Sequence, residues 1–314
     1  MEVSREEVPE FFDKVAVDSD LIRYRAAFAA QKTWWDLYDD QGVFVERFPS
    51  AKEADEHLKD LEEFMMIDCS GYYRKPDMVV SDEDAARNAC DLIIEHIHKE
   101  VPAKEYVYYL TDPKENYREE ISKTLVYKGN RIQDKPVHHD TVKQHLISKY
   151  GAKIAKGCEA DDAVCVIGAK GYYSKTINTC AVTSDKDLMG SPGYLYNFVK
   201  DEWYHQTELE ADRFFWQQCI SGDKQVDNIL GLVNVSDEFR KKYGLRKSKG
   251  VGAKAAEKLL ENCETNQEMF EIVKEAYQSY HDDNWREVLN EMGKLLWMQR
   301  KKGVVFDVSW FEKE

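Results

Sequence analysis

The chain has 314 residues, of which 43% are hydrophobic and 33% are charged, as is typical of a globular protein with one large domain or a core with a smaller satellite. No apolar run approaches the roughly 20 residues that a membrane-spanning helix needs, and the seven cysteines are never spaced as CxxC, so neither a zinc site nor a disulfide framework is indicated. The first residues are acidic and polar where a secretory leader would be basic and then apolar, so we expect a cytoplasmic protein without a membrane partner. The net charge of −15 disfavours a nucleic-acid partner unless many of the acids bind metal ions.

Short β-rich runs alternate with amphipathic helical stretches, which predicts an α/β fold with a mainly parallel sheet. "VAVD" (15–18) predicts a strand that ends in an acid, followed by a helix over about residues 20–31. A hairpin is expected to turn at "DDQG" (39–42), and Ser50 and Ser81 are expected to begin two helices, the first with a capping box at Glu53. "YVYYLTD" (106–112) and "INTCAVTSDKDL" (177–188) predict two further strands that are followed by acids. After residue 220 the pattern indicates helices only, so we expect an α/β core over 1–220 and a helical region over 221–314.

Acidic side chains are predicted to meet at one edge of this sheet, because the carboxyl ends of parallel strands share one crevice. Four of them follow strands and three lie in the first turn of a helix that starts in "GCEADDAVCV" (157–166): Asp18, Asp112, Asp185, Asp187, Glu159, Asp161 and Asp162. Two unit charges about 4 Å apart repel by roughly 4 kcal/mol at an effective dielectric near 20. The acids must therefore either bind protons or surround cations, and an all-oxygen ligand set favours magnesium or manganese.

Each short motif also has a plainer interpretation. "EADD" (159–162) taken alone is typical of a helix cap, and "SDKD" (184–187) is typical of a surface turn. Their joint occurrence with acids after two other strands favours the metal site.

Seven motifs follow one another between residue 18 and about residue 260: "VDSDLIRYRAAF", "LTDPKENYREE", "YKGNR", "CEADD", "TSDKDL", "SGDKQVDNILGL" and "GVGAKAAEKLL". This ordered set resembles the 5′-nuclease family of 5′→3′ exonucleases and flap endonucleases, especially its bacteriophage members. The resemblance implies a PIN-like α/β core with two divalent ions, Mg²⁺ or Mn²⁺, no organic cofactor, and a helical region with a helix-hairpin-helix-like element that binds duplex DNA. It places Asp18, Asp112, Glu159 and Asp161 around one ion, Asp185, Asp187, Asp223 and Asp227 around the other, and Asp162 beside them.

"YKGNR" (127–131) supplies cations next to these acids. If the stretch is helical, Lys128 and Arg131 face the same side and can clamp a scissile phosphate. The resemblance implies this role for both, and implies that Tyr127 stacks on a base. Arg118 in "NYREE" matches a further arginine of the family, and the plainer interpretation of "YKGNR" is an ordinary turn.

A local basic patch follows in the helical region. The resemblance implies that it binds the DNA backbone through Arg240, Lys241, Lys242, Arg246, Lys247, Lys249 and Lys254, together with the hairpin glycines Gly250 and Gly252. It also implies a K⁺ ion at the Gly250–Gly252 hairpin. The plainer interpretation is a solvated helix face.

Three features depart from the family pattern. Asp223 and Asp227 are four residues apart rather than three, although both spacings would lie on one helical face. Residues 35–100 form a long acidic insertion for which we expect additional helices packed on the core. The third is the stretch "VNVSDEFRKKYGLRKSK" (233–249), where many relatives connect the flanking motifs directly.

His138 and His139 are adjacent in a polar stretch, where we expect solvent exposure rather than catalysis.

These observations predict a metal-dependent 5′→3′ exonuclease that acts near 5′ ends of duplex DNA, and on RNA–DNA hybrids and 5′ flaps, by a two-metal mechanism. The alternatives are a PIN-type ribonuclease, a non-catalytic structure-specific DNA-binding protein, and a magnesium-dependent phosphotransferase with an aspartyl nucleophile.

Overall fold

The computed structural model describes residues 1–131, 134–246 and 250–312. Its strands are β1 (Glu2–Val3), β2 (Lys14–Asp18), β3 (Gln31–Tyr38), β4 (Phe44–Phe48), β5 (Tyr73–Val80), β6 (Tyr106–Thr111), β7 (Lys153–Ala155), β8 (Thr179–Thr183), β9 (Gly193–Asn197) and β10 (Glu202–Gln206). Its α-helices are α1 (Ser19–Ala29), α2 (Ala51–Met65), α3 (Glu83–Glu100), α4 (Tyr117–Ile121), α5 (His139–Tyr150), α6 (Ala160–Ser174), α7 (Glu208–Ser221), α8 (Asp237–Lys242), α9 (Ala253–Leu260), α10 (Asn266–His281) and α11 (Trp285–Leu296). None of the helices in this described part of the chain is long and apolar enough to cross a lipid bilayer.

Seven strands form one sheet in the order β1-β10-β9-β8-β2-β6-β7. The five strands from β9 to β7 are parallel, and β10 and β1 add antiparallel pairings at one edge. The central strand β2 has Val15, Ala16 and Val17 without exposed surface, which is the pattern of a strand covered on both faces. The predicted α/β fold with a mainly parallel sheet is confirmed.

Helix α6 lies close against the central strands because two of its positions are glycines. A Cβ atom at Gly171 would lie 2.3 Å from Thr179 Oγ1, and one at Gly168 would lie 3.0 Å from the Cβ of Ala181. The Thr179 hydroxyl donates to the Gly168 carbonyl at 2.9 Å and accepts from the Gly171 amide at 2.9 Å. This contact fixes α6 on β8, and with it the acidic first turn of the helix.

The chain after β10 is helical, as the sequence predicts, but the helices begin at Glu208 rather than after residue 220. A capping box of Thr207 and Glu210 starts α7, which packs against α9, α10 and α11. Aromatic side chains such as Trp216 and Phe270 fill the core of this region without exposed surface. The helices and the large sheet belong to one compact unit, residues 1–21, 95–134 and 147–314, so the predicted boundary near residue 220 falls inside that unit.

Residues 22–94 and 135–146 form a second compact unit. It contains an antiparallel sheet in the order β4-β3-β5, and the predicted hairpin at residues 39–42 connects β3 to β4. The Ser50 hydroxyl caps α2 by accepting from the Glu53 amide at 3.2 Å, which confirms the predicted helix start. The predicted hairpin and helices are present within residues 35–100, but the strand β5 was not predicted there, where we expected additional helices; β5 pairs with β3 along its whole length.

Candidate metal centre

Six of the predicted acids gather in one cleft beside the carboxyl ends of β2 and β8. The cleft is lined by Glu159, Asp161, Asp185, Asp187 and Asp227, and Asp18 joins them through a hydrogen bond with Asp161. Its cavity volume is about 20 Å³, which is room for roughly one water-sized sphere. A space of this size suits small ions rather than an organic ligand.

Asp18 and Asp161 form the most buried part of the acid cluster. Asp18 ends β2 and accepts hydrogen bonds from the Asp20 amide at 3.0 Å and from Thr183 Oγ1 at 3.1 Å. Burial, followed by the charges of Asp20 and Asp185, raises the pKa of Asp18 to about 7. Burial and the charge of Asp18 hold the pKa of Asp161 well above its usual range. Two such carboxyl groups in contact share a proton when no cation is present.

Asp185 and Asp187 lie on the loop that follows β8. The Asp185 carboxylate accepts from the Asp187 amide at 2.9 Å and caps a short 3₁₀ helix, and Asp187 Oδ1 accepts from Gln218 Nε2 at 2.6 Å. Burial, then the charges of Asp185 and Asp227, raises the pKa of Asp187 to about 7. Burial also raises the pKa of Asp185. Burial and repulsion between carboxylates therefore oppose full ionisation of the acids on this side of the cleft as well.

Glu159 is the acid of the cleft that remains ionised. Its Oε2 accepts from Arg118 at 3.1 Å and from the Tyr127 hydroxyl at 2.8 Å, and its Oε1 accepts from Lys128 Nζ. Burial acts to raise the pKa of Glu159, but Arg118 and Lys128 outweigh burial and lower this pKa to about 2.

Lys128 and Arg131 line the cleft together, although residues 127–130 form a tight turn and the predicted helix is absent. Lys128 has a positive φ of 55° and contacts Glu159. Arg131 donates to Asp227 Oδ1 at 2.7 Å, and half of its side chain is exposed. The turn brings both cations to the acids without helical spacing.

Asp223 and Asp227 also lie on a turn rather than on a helical face, so that expectation is wrong. The Asp227 amide donates to the Asp223 carbonyl at 3.2 Å. Gly222 and Gly231 close the loop back to back with positive φ, and a Cβ atom at Gly231 would lie 2.3 Å from the Gly222 nitrogen. Lys186 Nζ lies 2.8 Å from Asp223 Oδ2, so the buried Asp223 carboxylate is paired with a lysine whose side chain is mostly exposed.

Two other predicted ligands do not line the cleft. Asp112 follows β6 and accepts from the Lys114 amide at 2.9 Å, and no contact within the described residues joins it to the other acids. Asp162 is fully buried, and its oxygens accept from Arg118 at 2.6 and 3.1 Å and from the Gln299 amide at 3.1 Å. A ligand role does not fit Asp162, because these donors already use its lone pairs.

Tyr127 and Arg118 are both buried, and the stacking role expected for Tyr127 is therefore wrong. The Tyr127 ring is 7% exposed and belongs to the core of the helical region, so it cannot stack on a base. Its hydroxyl donates to Glu159 and also lies 3.1 Å from Asp227 Oδ2. Arg118 is 1% exposed and holds Asp162 and Glu159 in place rather than meeting a phosphate.

His138 and His139 lie in the second unit and are buried, so the expected exposure is wrong. His138 Nε2 lies 2.7 Å from the Ser81 carbonyl. Burial, together with the charge of Arg23, lowers the pKa of His139 to about 4. Neither histidine belongs to the acid cleft.

Sequence reasoning missed several side chains that hold the acids. Asp20 Oδ2 accepts from the Thr111 amide at 2.9 Å and so ties the first turn of α1 to the end of β6. Thr183 and Gln218 donate to Asp18 and Asp187. The spacing "DSD" (18–20) was the available signal for Asp20; nothing in the sequence pointed to Gln218, which comes from a distant helix.

Divalent cations fit this donor set, because burial and mutual repulsion leave carboxylate charge that the side chains do not neutralise. Within residues 1–131, 134–246 and 250–312, no three acidic, histidine or cysteine side chains are already arranged as a coordination shell. The contacts explain this, since Asp18 and Asp161 bond to each other while Lys128 and Arg131 occupy Glu159 and Asp227.

The predicted DNA-binding cations fall into different environments. Lys241, Arg246 and Lys254 are exposed. Lys242 is exposed but paired with Glu275 at 2.7 Å. Lys247 and Lys249 lie outside the described residues.

Arg240 is 6% exposed and donates to the Arg246 carbonyl at 3.0 Å and to Asn234 Oδ1 at 2.7 Å. A backbone-binding role for Arg240 does not fit, because it is buried and supports the loop after α8. In the predicted hairpin, Gly250 has a φ of +73° and Gly252 is the N-cap of α9. The hairpin glycines thus lie directly before a helix N-terminus.

No protein-family model and no curated protein matches the chain. Three solved structures of bacteriophage T5 proteins are similar to it at 13% sequence identity. One is a T5 flap endonuclease in a complex with DNA and metal ions (TM-score 0.42, covering 90% of this chain and 99% of that chain). The second is a T5 protein co-crystallised with metal ions (TM-score 0.40, covering 89% of this chain and 98% of that chain). The third is T5 5′-exonuclease with bound zinc (TM-score 0.41, covering 90% of this chain and 99% of that chain). Similarity of this degree assigns no function, so the assignment has to come from the cleft itself.

Proposed function

We propose that the chain is a metal-dependent 5′→3′ nuclease that hydrolyses phosphodiester bonds near the 5′ ends of duplex DNA, and that RNA–DNA hybrids and 5′ flaps are also substrates. The observation that carries the proposal is the meeting of six carboxylates in a cleft that also presents Lys128 and Arg131. Two Mg²⁺ or Mn²⁺ ions bound there would supply the activated water and compensate the charge of the leaving oxygen.

The acids would hold the ions from three directions. Asp18 comes from the end of β2 and Asp161 from the adjacent first turn of α6, Asp185 and Asp187 come from the loop after β8, and Asp227 comes from the turn that follows α7. Asp223, which lies in the same turn as Asp227 and is paired with Lys186, is part of the proposed ligand set. Asp112 remains a predicted ligand.

Lys128 and Arg131 would bind the scissile phosphate. In the structure each neutralises an acid of the cleft, Glu159 for Lys128 and Asp227 for Arg131. When divalent ions take over that neutralisation, the two cationic groups become available to an incoming phosphate. They would then stabilise the negative charge that develops on its oxygens.

The duplex would be held away from the cleft by the helical region. Exposed Lys241, Arg246 and Lys254 can neutralise backbone phosphates, and the amides that follow Gly252 at the start of α9 can donate to them. A K⁺ ion at the Gly250–Gly252 hairpin, and contacts from Lys247 and Lys249, are part of the same proposal.

The test is release of nucleotides from 5′-labelled duplex DNA in magnesium, for the wild type and for Asp185→Ala/Asp187→Ala. We expect the double variant to lose detectable activity while its melting temperature in EDTA is maintained, because removing repelling buried acids does not destabilise the fold. Glu62→Ala/Glu63→Ala, which removes two adjacent exposed acids of α2, is the matched control and should keep wild-type activity. Undiminished activity in Asp185→Ala/Asp187→Ala would overturn the proposal.

Product lengths from 5′-flap, nicked, RNA-primed and single-stranded RNA substrates distinguish the remaining possibilities. Short products from 5′ ends of duplexes support the exonuclease, and cleavage of RNA alone would identify a ribonuclease. Tight duplex binding without any hydrolysis would identify a non-catalytic DNA-binding protein.

A further inference from the structure

The three-stranded sheet of the second unit has two unlike faces. Alternation along β3 places Lys32, Trp34, Asp36 and Tyr38 on one face, and the register places Tyr73 opposite Tyr38 on that face. Helix α2 packs on β3 and β4, and it meets the other face. There Arg74 donates to Asp55 of α2 at 2.7 Å, and the rings of Phe48 and His57 lie 5.1 Å apart.

On the face away from α2, a row of aromatic rings crosses all three strands. Phe44 of β4, Tyr38 of β3 and Tyr73 of β5 occupy one line of the register. The rings of Tyr38 and Tyr73 are stacked with centroids 5.5 Å apart and planes 15° apart, and Phe44 meets Tyr38 edge-on at 6.1 Å. Phe44 is 52% exposed and Tyr73 is 39% exposed. We call these three residues, with Trp34, Lys32 and Lys75, the aromatic face.

Cations lie over these rings. Lys75 Nζ is 5.2 Å from the Tyr73 centroid and 5.6 Å from the Tyr38 centroid, and Lys32 Nζ is 4.9 Å from the Trp34 centroid. Neither lysine forms an ion pair with any of the described residues. Their positive charge is therefore free for a ligand.

The two acids of the same face share one arginine, and with Lys32 and Lys75 the cations of the face outnumber its acids. Asp36 accepts from Arg47 at 2.6 and 2.8 Å, and Asp77 accepts from the same guanidinium at 2.6 Å. Arg47 in turn lies over Trp34 at 5.1 Å. What the face offers to a partner is thus exposed rings interleaved with unpaired ammonium groups.

We propose that the aromatic face binds single-stranded nucleic acid. Unstacked bases can stack on the ring row whatever their sequence, and the two lysines can meet the phosphates between them. A duplex presents no free base faces and an apolar peptide has no use for the ammonium groups, so a single strand fits both features together. This surface is a property of the second unit and does not depend on the metal cleft.

The experiment is fluorescence anisotropy of a labelled oligothymidine and of a labelled duplex, with the full-length protein in EDTA. We expect Tyr38→Ala/Tyr73→Ala to weaken oligothymidine binding at least about tenfold and to leave duplex binding unchanged. Tyr38→Phe/Tyr73→Phe keeps the rings and should retain wild-type affinity. The matched control is Phe64→Ala, which removes a 79% exposed ring from α2 of the same unit, and it should have no effect.

A second variant tests the lysines without disturbing the rings. Lys32→Gln/Lys75→Gln should reduce the slope of log K against log salt for the single strand by about 1.4, since each phosphate contact contributes roughly 0.7. Lys52→Gln on α2, an exposed lysine paired with Glu56, should leave the slope unchanged. The proposal is overturned if the oligothymidine is not bound, if Tyr38→Ala/Tyr73→Ala binds it like the wild type, or if the phenylalanine variant loses as much affinity as the alanine variant.

Discussion

The acid cleft and the aromatic face handle charge in opposite ways. In the cleft, carboxylates lie buried beside one another, and their charge is held by shared protons and by Lys128 and Arg131. On the aromatic face, the acids are paired with one arginine and the lysines remain exposed over rings. A net charge of −15 therefore says little about either surface, because the sign that a ligand meets depends on which charges are already paired.

The acids in and around the cleft also differ in how completely their charge is paired. Fully paired acids support the site, and incompletely paired acids could bind ions. Asp162 has every oxygen occupied and no exposure, whereas Asp18 and Asp187 have pKa values raised to about 7 by burial and neighbouring carboxylates. The predictions below separate these two classes.

The largest expected effect is on stability, from Asp162→Ala. Asp162 binds the Arg118 guanidinium through both of its oxygens, and without it the buried guanidinium keeps only its 3.1 Å contact with the Glu159 carboxylate, so we expect the free energy of unfolding to fall by about 3–5 kcal/mol. The matched control is Asp140→Ala, which also removes an aspartate from an arginine but at a side chain that is 89% exposed, and it should cost less than about 1 kcal/mol. Urea unfolding of the three proteins measures both values, and equal losses would show that burial does not distinguish the pairs.

The next effect is on turnover, from Lys128→Ala. If Lys128 stabilises the phosphate as charge develops, kcat on a 5′-labelled duplex should fall by about 10²–10³-fold, with duplex affinity nearly unchanged. Lys241→Ala, in the exposed basic region, should instead weaken duplex binding and leave kcat close to wild type. Parallel losses of affinity and turnover in Lys128→Ala would make it a binding residue only.

A smaller effect is the pH dependence of stability in EDTA. The folded pKa of Asp18 lies near 7, above its ordinary value, so its contribution to stability is present at low pH and is lost as pH rises toward 7. Asp18→Asn replaces the titrating carboxyl group by a neutral amide, so the variant does not undergo this loss of stability. We expect melting temperatures of variant and wild type to be similar near pH 5, and the variant to be the more stable protein at pH 8. A difference that does not change with pH would contradict the raised pKa.

The positions of the acids relative to the strands could be predicted from the sequence. Asp18 and Asp185 follow apolar runs that could only be central strands, so their meeting at one edge of the sheet was predictable. The helix start at Glu159 was predictable from its acidic first turn.

Burial of individual polar side chains was not predictable in the same way. Tyr127 and Arg118 look like surface residues in their motifs, but each inserts into a core made by helices more than 80 residues away in the chain, including α11 (Trp285–Leu296). The turns at Lys128 and at Asp223–Asp227 depend on positive φ values and on the back-to-back glycines 222 and 231, which tertiary packing selects. In residues 31–80 the hairpin between β3 and β4 was predictable from its turn, but β5 was not, because the polar residues Arg74, Lys75 and Asp77 interrupt any apolar alternation along that strand.

The measurement that tests the central claim most directly is a calorimetric titration of the protein with Mg²⁺ at pH 6.5, repeated in two buffers with different ionisation enthalpies. If protons neutralise the buried acids of the cleft until divalent ions replace them, binding must release protons, and the apparent enthalpy will differ between the buffers. The same titration of Asp18→Asn should release fewer protons. Absence of Mg²⁺ binding, or binding with the same enthalpy in both buffers, would contradict the account.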